Sequence, residues 1–267
     1  TTASNNVAVG YDCLVSNTSG TQNTAVGAGA LDANTTAANN SAFGYNALGA
    51  NTTGANNVGI GQFSLDANTT GDANTALGHN ALTGNTTASK NTAVGKDALA
   101  VNTTGTENVA VGEVALDANT TGNYNTAVGR HALSSNTTAS SNTAVGRNAL
   151  GDNTGATNTA VGTDALGSNS TASDNTAVGR KALFSNTTGT SNVAVGETAM
   201  LLNVSGNQNT AVGRESLSAN TASDNTAIGR RALKANTSAS NNTAVGASAG
   251  TALTTGAANV AIGTNAL

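Results

Sequence analysis

The sequence predicts an all-β fold, a parallel β-solenoid (β-roll) of about sixteen coils, and three observations support this prediction. First, the motif Asn-Thr-Ala-Val-Gly recurs along all 267 residues, with Val for Thr or Ile for Val in some copies. Second, its glycines are 17 residues apart, except for two steps of 16. Third, Gly, Asn and Thr are weak helix formers, and they recur too often for a helix to form.

The glycine that closes each motif is predicted to be a structural turn. Glycine is the residue that readily adopts positive φ or allows close approach of another backbone. The glycines assigned to this role are Gly27, Gly44, Gly61, Gly78, Gly95, Gly112, Gly129, Gly146, Gly162, Gly179 and Gly196.

The Thr-Ala-Val segment before the glycine is predicted to be a short strand. Side chains alternate sides along a strand, so Thr and Val share one face and Ala takes the other. Because the third position is always apolar, we expect Val in the core, Thr half-buried, and the Ala face free to meet another chain. The recurrent Ala-Leu pair, as in Ala98-Leu99, is predicted to lie on a second strand of each coil.

Two columns of asparagine are predicted to stack along the solenoid. One precedes each strand, from Asn6 to Asn259, and the other opens an Asn-Thr-Thr corner. In-register stacking lets identical amides hydrogen-bond to one another, and Asn tolerates the backbone conformations of corners. The corner ladder is assigned to Asn34, Asn51, Asn68, Asn85, Asn102, Asn119 and Asn136.

Both 16-residue steps lack one Thr of this corner, at Asn153-Thr154-Gly155 and at Asn220-Thr221-Ala222. The corner is therefore predicted to be a loop that can lose a residue without disturbing the stack. No composition break divides the chain, so residues 1–267 are interpreted as a single array. Both ends fall within a repeat, and we expect the chain to be a segment of a longer one.

Composition argues against an enzyme and against several kinds of partner. Charged residues are 9%, aromatic residues 2% and the net charge is −4, which disfavours nucleic acid. The lone Cys13 excludes an internal disulfide, and no 18-residue apolar run could span a membrane. Asp32, Asp66 and Asp117 share a column but not successive coils, so a calcium ladder is not expected. We predict no catalytic constellation, no metal and no cofactor.

The strand motif, clearest in Asn259-Val260-Ala261-Ile262-Gly263 and Asn192-Val193-Ala194-Val195-Gly196, resembles the S-V-A-I-G repeat of trimeric autotransporter adhesin heads and of similar segments in phage tail fibres. The resemblance covers the whole chain as a repeat type. It implies a β-roll in which three chains lie side by side, in the extracellular space on a cell surface or a virion. The partners expected from it are two further copies of the chain and a host surface glycan or protein receptor.

The leading functional hypothesis is therefore a structural and adhesive fibre segment without catalytic activity. The variable column after the invariant glycine contains Arg130, Arg147, Arg180, Arg214 and Arg230, which could contact carboxylates or phosphates of a receptor, or could simply be a solvated edge.

One alternative is an ice-binding solenoid that uses the stacked Thr pairs of the corners, from Thr35-Thr36 to Thr137-Thr138. If the corner is extended, only one of these two Thr rows can face outward. A subunit of another extracellular filament is a further alternative.

Overall fold

The computed structural model describes residues 2–267, and all its regular secondary structure is β. Each coil contributes one three-residue strand. The strands are β1 Val7–Val9, β2 Thr24–Val26, β3 Ser41–Phe43, β4 Val58–Ile60, β5 Thr75–Leu77, β6 Thr92–Val94, β7 Val109–Val111, β8 Thr126–Val128, β9 Thr143–Val145, β10 Thr159–Val161, β11 Thr176–Val178, β12 Val193–Val195, β13 Thr210–Val212, β14 Thr226–Ile228, β15 Thr243–Val245 and β16 Val260–Ile262. The predicted parallel β-solenoid with a 17-residue period is confirmed.

The chain forms two compact units, residues 1–139 and residues 140–267. The first contains β1 to β8 and the second β9 to β16, so each has eight coils. Within each unit, every strand pairs in parallel with the next, and equivalent residues lie opposite each other, as in Thr92↔Val109 and Val94↔Val111. At about 4.8 Å per strand, eight coils give each unit a height of roughly 38 Å.

The second strand predicted for each coil is not present. The Ala-Leu segment forms turns, and its Leu has a left-handed backbone, with φ of 51° at Leu99. Axial hydrogen bonds continue through this segment nevertheless, because Leu99 N–H donates to the Ala115 carbonyl at 3.0 Å. The turn therefore stacks coil on coil as a strand does, but without extended geometry.

The predicted core face of the strand was wrong. The middle Ala is fully buried in strands β2 to β15, except where Gly59 replaces it, whereas Thr and Val on either side are half-buried or exposed. The interior of a 17-residue coil is narrow, and Leu already fills much of it, so only a small side chain fits opposite. The Ala face therefore lies inside each chain and is not available to another chain.

A representative coil shows how little the interior holds. Around β6, the fully buried side chains are Ala93, Ala98, Leu99 and the two asparagines Asn91 and Asn102. The same set recurs in most coils, so each one places three apolar groups and two amides in its core. Because amides occupy so much of the interior, hydrogen bonding has to stabilise it alongside apolar contact.

Candidate functional site

The invariant glycines lie where the backbones of successive coils approach each other closely. The sixteen of them have φ between 119° and 140°, a range that other residues rarely adopt. A Cβ added to Gly95 would lie 2.6 Å from the carbonyl oxygen of Gly112 in the next coil. Backbone conformation and axial contact both require glycine here, and this column is structural rather than a ligand site.

The asparagines at the corners form an amide ladder within each unit. Asn85 Nδ2 donates to Asn68 Oδ1 at 2.9 Å and to the Ala88 carbonyl at 3.0 Å, and Asn102 Nδ2 donates to Asn85 Oδ1 at 3.0 Å. Each amide thus closes its own corner and joins it to the coils on both sides.

The asparagines before the strands make a second, different ladder. Asn91 Oδ1 accepts the backbone N–H of Asn108 at 2.9 Å, and Asn91 Nδ2 donates to the Gly105 carbonyl at 2.8 Å. The amide therefore satisfies backbone groups that the turn leaves unpaired. Both ladders are fully buried in the interior coils, so no ligand can reach these amides in the folded chain.

In most Thr-Thr corners, one of the two hydroxyl groups is hydrogen-bonded to the backbone and the other is not. The first Thr hydroxyl donates to the corner carbonyl of the next coil, as Thr69 Oγ1 does to Thr86 O at 3.0 Å. The second Thr, for example Thr70, is exposed. The corner thus offers one row of outward hydroxyls, rather than the two that a wider lattice-matching surface would have.

The Arg column also contains Glu113 and Glu197, and further acidic residues lie in the next column. Arg130 Nε lies 3.1 Å from Glu113 Oε2, and Arg147 Nη2 lies 3.4 Å from Asp164 Oδ2. Arg180 and Arg214 both pair with Glu197, and Arg214 also reaches Glu215 at 3.0 Å. Among residues 2–267, no ion pair includes Arg230.

The most connected acid on this surface is Glu215, which Arg231 Nε and Lys234 Nζ approach at 3.0 and 2.5 Å. Hydrogen bonds from Lys234 and Arg231 lower the pKa of Glu215 from 4.5 to about 2. Residues 140–267 contain seven Lys or Arg and six Asp or Glu, a net charge of +1. An anionic ligand would have to compete with these carboxylates for the Arg side chains.

The outer face of the strands is a regular surface without charge. The first position, which is Thr or Val except for Ser41 in β3, and the third, which is Val, Ile, Leu or Phe, point outward from every strand. Neither column contains a charged residue in any of the sixteen strands. We call this surface the Thr/Val face. It was missed as a candidate surface because Val was expected in the core, although the absence of charge is visible in the sequence.

Coils three to five of the first unit carry three consecutive residues larger than Val on the Thr/Val face. Phe43, Ile60 and Leu77 occupy the third position, where their neighbours have Val26 and Val94. They remain between 39% and 45% exposed, so nothing within the chain covers them.

Nearby, beyond the glycine turns, Tyr45, Phe63 and His79 form edge-to-face ring contacts from coil to coil. The ring centroids are 5.4 and 6.4 Å apart.

No group of three or more His, Cys, Asp or Glu side chains that could hold a metal ion occurs among residues 2–267. Burial raises the pKa of Asp66 and of Asp117. Burial also raises the pKa of the Cys13 thiol, whose Sγ donates to the Ala25 carbonyl at 3.2 Å. No helix in the described part of the chain is long and apolar enough to cross a membrane.

The fold and these surfaces together define a β-solenoid repeat protein with Thr/Val strands and a 17-residue period. Comparisons with models of protein families, with curated proteins and with solved structures find no match.

Proposed function

We propose that the chain is a structural and adhesive segment of an extracellular fibre, on a cell surface or a virion, and that three copies assemble side by side. The observation that carries this proposal is the uncharged, half-exposed Thr/Val face, repeated in register through eight coils of each unit. Depletion of charge is characteristic of the centre of protein interfaces. The seam between copies is assigned to this face, because the Ala face lies inside each chain.

The Thr/Val face is a narrow, regular strip in each unit. A strand of three residues is roughly 10 Å long, and eight strands at about 4.8 Å extend roughly 38 Å. Each unit therefore presents roughly 380 Å² of this face, which a cyclic trimer divides between two neighbours. Small and β-branched side chains also keep this surface flat, so a second copy can approach closely.

The test is the native mass in solution by multi-angle light scattering. We expect about three times the chain mass of 25.7 kDa. A matched variant, Val161→Lys with Val178→Lys, places charges on the face at positions that are 36% exposed. This variant should fold, by circular dichroism, but should be monomeric. A monomeric native chain would overturn the trimer.

Adhesion is tested separately on the Arg column. Replacing Arg130, Arg147, Arg180, Arg214 and Arg230 with Ser should lower binding to an anionic glycan surface while the mass is unchanged. The matched control replaces the same number of exposed corner Thr residues with Ser. Unchanged binding of the Arg variant would exclude this column as the receptor contact.

A second candidate function, ice binding, is favoured by one observation that concerns the same face. Outward Thr and Val rows lie about 4.8 Å apart between strands and about 6.6 Å apart along each strand, with no charge to disturb them. The exposed corner row is narrower and loses one Thr in each 16-residue step. Measured inhibition of ice growth that disappears in Thr92→Lys, and persists in Thr87→Lys, would place ice binding on the Thr/Val face.

A further inference from the structure

A repeat array that associates through identical coils has a register problem. If every coil presented the same Thr and Val, neighbouring copies could pair equally well after sliding by one coil, or about 4.8 Å. Sequences without a distinguishing feature leave register weakly specified, and one unlike residue can fix it. Since this question exists only if copies pair through the Thr/Val face, the inference rests on the proposed function.

One coil of the Thr/Val face differs from all the others. In β3 the first position is Ser41, whereas the other strands have Thr or Val there. The third position of the same strand is Phe43, the largest side chain in its column, and it is 40% exposed. The smallest and the largest residues of the two columns therefore lie two residues apart, on the same side of one strand.

The first-position side chains of the adjacent strands are larger than Ser41. Thr24 lies opposite Ser41 on one side and Val58 lies opposite it on the other. Both have a β-branched side chain, so the surface has a recess at Ser41 that is bounded along the axis in both directions. Ile60 and Leu77 then continue the wider third column for two more coils.

Rotational symmetry brings these two features together. In a cyclic trimer the contact is between two different edges of the same face, because each copy is rotated in the same sense. The third column of one copy therefore meets the first column of the next. In such an arrangement, with the copies at equal height, Phe43 of one copy would meet Ser41 of its neighbour.

We propose that Phe43 and Ser41 form a knob and a recess between copies, which fix the axial register of the assembly, with Ile60 and Leu77 in support. Sliding by one coil in either direction sets Phe43 against Thr24 or Val58. Overpacking of that size disfavours the offset arrangement by about tenfold or more.

The test uses cysteine pairs between differently tagged copies in a Cys13→Ser background. One copy carries Val109→Cys. The other carries Val111→Cys at the same level, or Val94→Cys or Val128→Cys one coil away. A disulfide requires Cα atoms within about 7 Å, so an offset of one coil changes which pair can close. All these sites lie outside Ser41, Phe43, Ile60 and Leu77, which we call the key.

With the native key, oxidation should link Val109→Cys with Val111→Cys at least about tenfold better than with either offset partner. In the variant F43V/I60V/L77V, the offset pairs should link about as well as the level pair, while light scattering still shows a trimer. The control V101A removes an exposed apolar side chain from a corner and should keep the native selectivity.

A transplanted key gives a second, independent readout. In an I60V/L77V background, the changes T24S, V26F, S41T and F43V move the Ser and Phe from β3 to β2. When this chain carries Val109→Cys and is mixed with an untransplanted partner chain, the preferred link should shift to Val128→Cys of that partner. This experiment places the Ser and the Phe at a new level. Its result therefore does not depend only on the removal of large side chains.

Four results would overturn the proposal. A selective level pair in F43V/I60V/L77V would show that other residues set the register. A trimer lost in that variant would show that these side chains supply association itself, and a level pair that stays preferred after the transplant would exclude the key. A monomeric native chain would remove the fibre assembly as well, and the mass measurement identifies that case separately.

Discussion

The coils of the two units stack in the same way, but the repeat period is more regular in the first unit than in the second. Residues 1–139 keep an unbroken 17-residue period, whereas residues 140–267 contain two 16-residue steps, both at the Thr-Thr corner. In the shortened coils, Asn153 and Asn220 still close their corners by donating to carbonyls two residues ahead, at 2.7 Å in both cases. Elsewhere the same bond extends three residues.

The shortened corner nevertheless weakens the axial ladder at one point. Asn220 Nδ2 donates to the Ala222 carbonyl, and the buried Oδ1 of Asn203 in the preceding coil has no hydrogen-bond partner. The ladder resumes in the next coil, where Asn236 Nδ2 donates to Asn220 Oδ1 at 2.9 Å. The comparison shows that a coil is defined by its strand, its glycine and its buried amides, and that the corner only connects them.

Among single substitutions, the largest effect is expected where a positive φ and a close axial approach both require glycine. Gly95→Ala should destabilise the fold by more than about 3 kcal/mol, because a positive φ is strained for Ala and its Cβ would clash with the Gly112 carbonyl. Urea unfolding measures this loss.

Gly151→Ala is the matched control, since its Cβ would meet no atom closer than 3.4 Å. Equal stability losses for the two variants would contradict the assigned role of the invariant glycine.

Breaking the amide ladder in the regular unit should have the next largest effect. Asn85→Ala removes the donor to Asn68 Oδ1 and to the Ala88 carbonyl, and the acceptor of Asn102 Nδ2. Buried groups left unpaired cost about 1 to 3 kcal/mol each, so we expect a loss of about 3 kcal/mol or more. The exposed neighbour provides the control, because Thr87→Ala should change the free energy of unfolding by less than about 0.5 kcal/mol.

The comparison between units can be imitated by a deletion in the regular unit. Removing Thr104 leaves Asn102-Thr103-Gly105, which matches the natural Asn153-Thr154-Gly155. We expect a loss of no more than about 3 kcal/mol, which is the cost of leaving Asn85 Oδ1 without its donor, as Asn203 Oδ1 is at the Asn220 corner.

Deleting Ala110 from β7 instead should abolish cooperative unfolding, because it moves the following side chains to the opposite face. Similar results for the two deletions would disprove the distinction between corner and strand.

The smallest effect concerns the ion pairs of the second unit. The pKa of Glu215 is depressed from 4.5 to about 2, so its interactions with Lys234 and Arg231 stabilise the fold above pH 4.5. This contribution should decrease as pH falls from 4.5 to 2, where the carboxylate becomes protonated. Native protein should therefore have a slightly higher melting temperature than Glu215→Gln at pH 7, and the difference should vanish near pH 2. A difference that grows at acid pH would contradict the assigned sign.

The axial organisation could be predicted from the sequence because each residue type recurs at a fixed phase. A period of 17 places Gly over Gly and Asn over Asn, and backbone pairing then follows without knowledge of the rest of the coil. Corner tolerance was also visible, since both shortened steps lack the same Thr. The Arg column and the acidic residues Glu113 and Glu197 of that same column were visible for the same reason. The partners Asp164 and Glu215 belong to the next column, and the period alone does not show that their side chains reach the arginines.

What the sequence determined by itself is therefore the coil, its period and its columns. Only the tertiary structure decided which side of the strand faces inward. Alternation separates Ala from Thr and Val, and hydrophobicity alone favours Val as the buried member. The turn at Leu narrows the coil so far that only Ala fits beside Leu99 and its equivalents, and Val is turned to the outer face. The space available inside the closed coil determined which face of the strand is buried. That space depends on the fold of the whole coil and not on the local preference of a single residue.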